Sequence, residues 1–109
     1  MLGRVLRAAD YDVASFDGGD AFLASLVKQV PACVILDVHM PGLGGFEVES
    51  RLRAMHRDVP VIFITASDDP SLDQAVRATG REPLLRKPFS SQQLLGAIDA
   101  ALRARPGGA

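Results

Sequence analysis

The stretch of sequence that decides the fold is VILDVHMPGLGG, residues 34–45. Its first three residues are large and apolar, Asp37 follows them directly, and a turn rich in proline and glycine comes soon after. This order predicts a buried strand with one carboxylate at its carboxyl end. In an open α/β sheet, ligands bind in the crevice outside the carboxyl ends of the strands. Asp37 is therefore the first candidate for a functional residue.

Size and composition predict one ordinary globular domain. The chain has 109 residues, 48% of them hydrophobic, and a formal net charge of −1. Such a balanced charge does not favour contact with nucleic acid or with an anionic membrane. Cys33 is the only cysteine, so an intramolecular disulfide is excluded and a small core residue is the simplest interpretation. No apolar stretch approaches the roughly 20 residues of a membrane span, and we expect a soluble, cytoplasmic protein.

Strand and helix patterns alternate along the chain, which predicts a doubly wound parallel sheet. Apolar patterns predict four strands, at Tyr11–Phe16, Ala32–Leu36, Val61–Ile64 and Pro83–Leu85. Helical patterns predict five helices. The first is short and covers residues 2–9, and the second is capped by Asp20 and runs to about Gln29. The third runs from Gly45 or Phe46 to near Asp58 with Met55 facing the core, the fourth covers 71–79, and the fifth begins at Ser90 or Ser91. The domain is expected to span residues 1–105, and residues 106–109 to form a tail or the start of a linker.

Three polar side chains follow the predicted strands at their carboxyl ends: Asp37, Thr65 and Lys87. Neighbouring parallel strands end at the same edge of a sheet, so these side chains are expected to converge. A carboxylate can attack a phosphoryl group, while an ammonium group neutralises charge and a hydroxyl donates a hydrogen bond. Such chemistry needs little beyond positioning and a divalent cation. Pro88 allows a cis peptide bond that would aim the lysine, although most such bonds are trans.

Each of these residues also has a purely structural interpretation. Asp37 could cap a turn, Thr65 could cap a helix, and Lys87 could be a solvated surface residue. The matching positions of all three at strand ends favour the functional interpretation. The two histidines, His39 and His56, do not have the spacing of a histidine metal site.

These motifs resemble those of bacterial response-regulator receiver domains. The similarity covers nearly the whole chain and rests on Leu36-Asp37, Met40-Pro41-Gly42, Gly45, Ile64-Thr65-Ala66 and Lys87-Pro88-Phe89. Residues 21–24, 31–37 and 60–65 further resemble the FixJ-type branch, whose members often join the receiver to a LuxR-type helix-turn-helix. The resemblance implies an α/β, flavodoxin-like (CheY-like) fold.

The resemblance also implies a role in two-component phosphorelay signalling. Asp37 would accept a phosphoryl group from a sensor histidine kinase, Thr65 would follow that group, and Lys87 would contact it. Magnesium would bind to Asp37 and to the backbone carbonyl of His39. The signal would pass to a downstream output domain or protein, without direct nucleic-acid binding by this domain. The domain would not be an enzyme beyond self-phosphorylation and dephosphorylation.

The sequence departs from the family pattern at its start. Receiver domains normally begin with an apolar strand that ends in two acidic residues, whereas this sequence begins within the following helix. In the family strand order 2-1-3-4-5, that strand would lie in the middle of the sheet. We therefore expect four strands, about five helices, and exposed strand edges that favour a homodimer or a strand-exchanged oligomer. Magnesium binding should be weak, and a phosphorylation-incompetent pseudo-receiver that serves as an interaction module is the alternative function.

The nearest acidic substitutes for the missing pair are Asp17, Asp68 and Asp69, all in predicted loops. Two further differences concern single positions. Gly80 is followed by Arg81 rather than by the usual small residue. Leu84 lies three residues before Lys87, where many receivers have an aromatic residue that moves inward on phosphorylation. A conformational change linked to Thr65 would therefore have to be transmitted to the surface by another residue.

Overall fold

One parallel sheet organises the chain, with helices on both of its faces. The computed structural model describes residues 2–9, 11–16, 18–39, 42–55, 59–81 and 84–103. Within these ranges the elements are α1 Leu2–Ala8, α2 Gly19–Ser25, β1 Val34–Asp37, α3 Gly45–Ala54, β2 Val61–Thr65, α4 Ser71–Thr79, β3 Leu85–Arg86 and α5 Ser91–Arg103. The strands are parallel and lie in the order β1-β2-β3. This is the α/β architecture with a parallel sheet that the alternation predicted, and it agrees with the flavodoxin-like fold that the resemblance implies.

β2 lies between the other two strands and aligns their carboxyl ends. The register places Asp37 of β1 opposite Ile64, and Arg86 of β3 opposite Thr65. All five residues of β2 are buried, which confirms the interior strand predicted from its unbroken apolar run. The ends of the three strands therefore meet at one edge of the sheet.

Two separate core clusters cover the two faces of the sheet. One includes Phe63 of β2 together with apolar residues of α2, α3 and α4. The other includes Ile62 and Ile64 together with residues of α1 and α5. Since side chains alternate between the faces of a strand, consecutive residues of β2 contribute to opposite clusters.

Local chemistry explains where two of the helices end or begin. α4 has its predicted bounds and ends at Gly80, whose φ of 78° is a left-handed conformation that glycine adopts without strain. At the start of α5, the Ser90 hydroxyl accepts the Gln93 N–H at 3.0 Å, and the Gln93 side chain accepts the Ser90 N–H at 2.8 Å. This reciprocal pair satisfies two backbone donors that a helix start leaves free. None of the helices described is both long and apolar enough to cross a bilayer.

Three details of the helices differ from the predictions. α2 ends at Ser25 rather than near Gln29, and residues 26–28 form a turn instead. Asp20 lies in the first turn of α2 and does not cap it, since no side chain makes a capping bond there. Met55 directly follows α3 and is 44% exposed, so the prediction that it faces the core is wrong.

The predicted strand at residues 11–16 is absent, so the sheet of the described chain has three strands rather than four. A strand needs a neighbour with which to share backbone hydrogen bonds. Among the residues described, no strand lies between this segment and β1. Instead, residues 11–16 and β1 line a groove of about 1180 Å³, together with core residues such as Phe22 and Ile98. This groove leaves the adjoining edge of β1 without a strand partner.

Cys33 lines the groove and packs against the cluster that contains Ile62 and Ile64. This position agrees with its interpretation as a small residue that serves the core. Burial raises the pKa of its thiol from 9.0 to about 11, although a hydrogen bond with the Val34 backbone opposes part of the increase. The thiol is therefore protonated, and weakly reactive, at neutral pH.

We expect iodoacetamide to alkylate Cys33 at pH 8 about a hundredfold more slowly in the folded protein than in urea, in proportion to the thiolate fraction. The rate in the folded protein should keep rising with pH until about pH 11. Since the unfolded thiol ionises first, the free energy of unfolding should fall as pH rises above 9.0. Intact-mass spectrometry measures the alkylation, and equal rates in the two states would contradict the burial of this thiol.

Candidate functional site

The edge where the strands end brings the predicted site residues together. Asp37 ends β1, Thr65 ends β2, and Lys87 directly follows β3. The Lys87 Nζ lies 3.1 Å from Asp37 Oδ2, although 50 residues separate the two in sequence. The backbone N–H of Lys87 also donates to the Thr65 carbonyl at 2.8 Å. The peptide bond between Lys87 and Pro88 is cis, one of the two forms that the sequence allowed.

Both oxygens of the Asp37 carboxylate have hydrogen-bond donors. Oδ1 accepts the backbone N–H of His39 at 2.9 Å, and Oδ2 accepts from the Lys87 ammonium group. The bond to the residue two positions later is the turn-capping role that a lone aspartate often has. The side chain is nevertheless 30% exposed, so a phosphoryl donor can approach it from solvent. Asp37 therefore caps a turn and is also accessible as a functional residue.

Thr65 is completely buried, unlike Asp37 and Lys87. Its Oγ1 accepts the backbone N–H of Ser67 at 3.1 Å. The Thr65 side chain therefore fastens the β2–α4 loop to the end of β2. A threonine hydroxyl can also donate one hydrogen bond.

Glycine allows α3 to begin directly against the backbone of Asp37. A Cβ atom on Gly45 would lie 2.6 Å from the Asp37 carbonyl oxygen and 3.1 Å from its carbonyl carbon. Both are backbone atoms, so neither could move aside without displacing the end of β1. The Gly45 N–H also donates to the Val38 carbonyl at 3.3 Å. The start of α3 therefore helps to fix the turn in which His39 contacts Asp37.

The described residues fit a magnesium ion only in part. Asp37 supplies one carboxylate, and the described part of the chain contains no group of three or more His, Cys, Asp or Glu side chains that could hold a metal. His39 contacts Asp37 through its backbone N–H, and its role as a carbonyl ligand stays a prediction. Magnesium usually combines one or two carboxylates with phosphate oxygens of a substrate. A phosphoryl group would therefore be needed to complete such a site.

The acidic residues considered as substitutes have other roles or lie outside the described residues. Asp69 Oδ1 accepts the Ser71 N–H at 2.9 Å, and this bond lowers the pKa of the Asp69 carboxyl. Asp69 therefore stabilises the turn that leads into α4. Asp68 is exposed in the same loop, and Asp17 lies outside the described residues.

Arg86 was not identified from the sequence, yet it makes extensive contacts beside the site. It ends β3, directly before Lys87, and its guanidinium donates to the carbonyls of Ser67 and Asp69 and to the Asp73 carboxylate. These acceptors are 13 to 19 residues away in sequence, so no local pattern indicates them. The one signal in the sequence is the position of Arg86 directly before Lys87, which places it beside the site.

Comparison with known proteins gives a consistent result. A family model described as the response regulator receiver domain matches residues 1–99. The response regulator protein TodT of Pseudomonas putida is 35% identical over 106 residues, which cover 96% of this chain and 46% of TodT. The transcriptional regulatory protein FixJ of Bradyrhizobium diazoefficiens is 34% identical over 102 residues, which cover 94% of this chain and 50% of FixJ. The chain thus spans about half the length of these curated relatives.

Solved structures share the same architecture. A response regulator receiver protein from Burkholderia phymatum is 40% identical, with a TM-score of 0.82 and coverage of 96% of this chain and 86% of that chain. Full-length FixJ from B. japonicum is 33% identical, with a TM-score of 0.87 and coverage of 97% and 52%. The flavodoxin-like fold and the FixJ-type resemblance predicted from the motifs are both confirmed.

Gly45→Ala should lower the free energy of unfolding by about 1–3 kcal/mol, because the added methyl group overlaps the backbone of Asp37. Gly96→Ala is the matched control, since no atom lies within 4 Å of a Cβ at Gly96 in α5. Alanine there should stabilise the helix by about 0.5–1 kcal/mol. Urea unfolding followed by circular dichroism measures both variants. The close approach at Gly45 is wrong if the two substitutions have the same effect.

Proposed function

Because the chain belongs to the response-regulator receiver domain family of two-component signalling, we propose that it accepts a phosphoryl group on Asp37 from a sensor histidine kinase. The observation that carries this proposal is the direct contact between Asp37 and Lys87, with Thr65 on the adjoining strand. Members of this family are generally signalling modules rather than enzymes. The chemistry proposed for this domain is limited to its own phosphorylation and dephosphorylation.

In the proposed reaction, an Asp37 carboxylate oxygen attacks phosphorus and forms an acyl phosphate. The bond between phosphorus and the kinase histidine nitrogen breaks, and that nitrogen keeps the electron pair. Phosphoryl transfer depends mainly on positioning and on charge stabilisation rather than on covalent assistance from the protein. Lys87 already lies 3.1 Å from Asp37 Oδ2, so its ammonium group can follow the new charge onto a phosphoryl oxygen. Thr65 can donate its hydroxyl to another of these oxygens.

Magnesium is the proposed cofactor, and when bound it would neutralise charge on the phosphoryl oxygens. Asp37 would provide a carboxylate oxygen, and the backbone carbonyl of His39 is the second proposed ligand. One carboxylate binds magnesium weakly unless phosphate oxygens join it. We therefore propose that the cation and the phosphoryl group bind together rather than in sequence.

One observation favours a second function. The described residues place a single carboxylate at the site and form no group of three potential metal ligands. A receiver domain that cannot hold the cation would be a pseudo-receiver, which uses the same fold as an interaction module without phosphorylation. The two functions differ in whether Asp37 reacts, so they can be separated by direct chemistry.

The proposed partners are the histidine kinase and a downstream output domain or protein. FixJ is a transcriptional regulatory protein, and the region similar to this chain covers 50% of it. This supports an output domain joined to the receiver in proteins of this type. A net charge of −1 gives this domain no electrostatic basis for direct binding to nucleic acid or to a membrane. The proposed site of action is the cytoplasm.

Incubation with acetyl phosphate and magnesium should add one phosphoryl group to the protein and none to Asp37→Asn, because an amide cannot form the acyl phosphate. Lys87→Ala should react about tenfold to a hundredfold more slowly, since charge on the phosphoryl oxygens is then less well stabilised. Asp99→Asn removes an exposed carboxylate on α5 and is the matched control, with uptake expected to equal that of the unaltered protein. Intact-mass spectrometry measures the uptake.

Phosphorylation that persists in Asp37→Asn would contradict the assignment of the acceptor. A failure of acetyl phosphate to modify the unaltered protein would favour the pseudo-receiver instead.

Magnesium and beryllofluoride should bind feebly, with a Kd of about a millimolar or weaker, because one carboxylate is a poor ligand set for this cation. Isothermal titration calorimetry with magnesium alone, and with magnesium and beryllofluoride together, measures the affinity. Tight binding that Asp37→Asn abolishes would show that the site holds the cation well, contrary to this expectation.

A further inference from the structure

The guanidinium group of Arg86 holds three acceptors that belong to another part of the chain. Nε donates to the Ser67 carbonyl at 3.0 Å, and Nη2 donates to the Asp69 carbonyl at 2.8 Å. Nη1 donates to Asp73 Oδ1, in the first turn of α4, at 2.9 Å. Because the donors of arginine form a rigid planar fork, one side chain can fix several acceptors at once. We call this set of three hydrogen bonds the Arg86 clamp.

The Arg86 clamp starts directly beside the candidate site. Arg86 pairs with Thr65 in the register of β2 and β3. It also precedes Lys87, whose ammonium group contacts Asp37 and whose backbone N–H donates to the Thr65 carbonyl. The backbone that carries the clamp is therefore fixed to the same strand end that carries the site.

Ser67 is the residue that links Thr65 to the Arg86 clamp. Its N–H donates to Thr65 Oγ1 at 3.1 Å, while its carbonyl accepts from Arg86 Nε. Its own Oγ accepts the Asp69 N–H at 3.1 Å, which holds the loop in shape. A rotation of the Thr65 hydroxyl away from Ser67 would break the bond from the Ser67 N–H and leave the bond from Arg86 to the Ser67 carbonyl. The position of the loop therefore depends on both residues.

The Arg86 clamp is partly exposed to solvent, so we expect it to fix the nearby loop and to add little to the stability of the whole fold. The side chains of Arg86 and Asp73 are 32% and 42% exposed. The hydrogen bond from Arg86 lowers the pKa of the Asp73 carboxyl, so the pair stays ionised at neutral pH. Exposed ion pairs add little to the stability of a whole protein. Loss of the clamp should therefore affect the loop and α4 before it affects the fold.

We propose that Arg86 is a positioning residue that transmits the state of Asp37 to α4. This inference rests on the proposed function: the Thr65 hydroxyl leaves the Ser67 N–H for a phosphoryl oxygen, and the Arg86 clamp then determines where the loop and α4 settle. Such a switch needs two arrangements that the phosphoryl group stabilises differently. Leu84 packs against the core and has no ring to move, so a polar connection through Arg86 supplies the route to the surface.

Arg86→Met tests the clamp because methionine keeps an unbranched side chain but removes every donor. Arg103→Met is the matched control, since it removes another arginine–aspartate pair, 3.0 Å long, on α5. Hydrogen–deuterium exchange of residues 66–79 is measured in each protein before and after acetyl phosphate. Intact-mass spectrometry gives the extent of phosphorylation, and urea unfolding gives the midpoint of the global transition.

In the unmodified proteins, the loop of Arg86→Met should exchange about tenfold faster than that of the unaltered protein or of Arg103→Met. Phosphorylation should change exchange in α4 of the unaltered protein and of Arg103→Met. Arg86→Met should lose this change although its phosphorylation and its urea midpoint are unaltered. Arg86→Lys keeps the charge but not the fork, so it too should lack the response of α4, which separates the fork geometry from charge.

Equal loop exchange in Arg86→Met and the unaltered protein would overturn the proposal. So would a full response of α4 in Arg86→Met at equal phosphorylation. If acetyl phosphate leaves the unaltered protein unmodified, the proposed function and the transmission through Arg86 both fall, whereas loop exchange in the unmodified proteins still decides whether the clamp holds the loop.

Discussion

Burial of β2 on both faces places this strand at the centre of the molecule, so β1 and β3 must pair along its two edges. The two core clusters hold β2 from opposite sides, with Phe63 in one and Ile64 in the other. Backbone hydrogen bonds then set the register, and the register aligns the strand ends. The contact between Asp37 and Lys87 follows from this arrangement. The geometry of the candidate site is thus a consequence of how the core is built.

Elements that local interactions or sheet geometry control could be predicted from the sequence. α4 was predicted to its exact bounds because Gly80 can adopt the left-handed conformation that ends a helix. The convergence of Asp37 and Lys87 could be anticipated because parallel strands end at one edge. Residues 11–16 have the alternation of a strand, but a strand also needs a neighbour, and no local pattern reports one. The acceptors of Arg86 were unpredictable for the related reason that they come from another part of the chain.

The Asp37 carboxylate combines a structural role with its proposed chemical role. One oxygen holds the turn through the His39 N–H, and the other is held by Lys87. A new bond to phosphorus at either oxygen must therefore disturb one of these contacts. Gly45 keeps α3 close behind the same turn, so such a disturbance arises at the junction of β1 and α3. The proposed phosphorylation of Asp37 would therefore alter the contacts of several neighbouring residues.

The groove beside β1 also affects which part of the molecule unfolds locally. None of the described backbone hydrogen bonds crosses it between residues 11–16 and β1, so the amino-terminal part of the chain is joined to the sheet by side-chain packing. Regions that lack shared backbone bonds open at lower free energy than the strands of a core. Residues 11–16 are therefore expected to open before the strands of the core. Asp37, Thr65 and Lys87 lie at the ends of those strands, so they are expected to stay aligned when this segment opens.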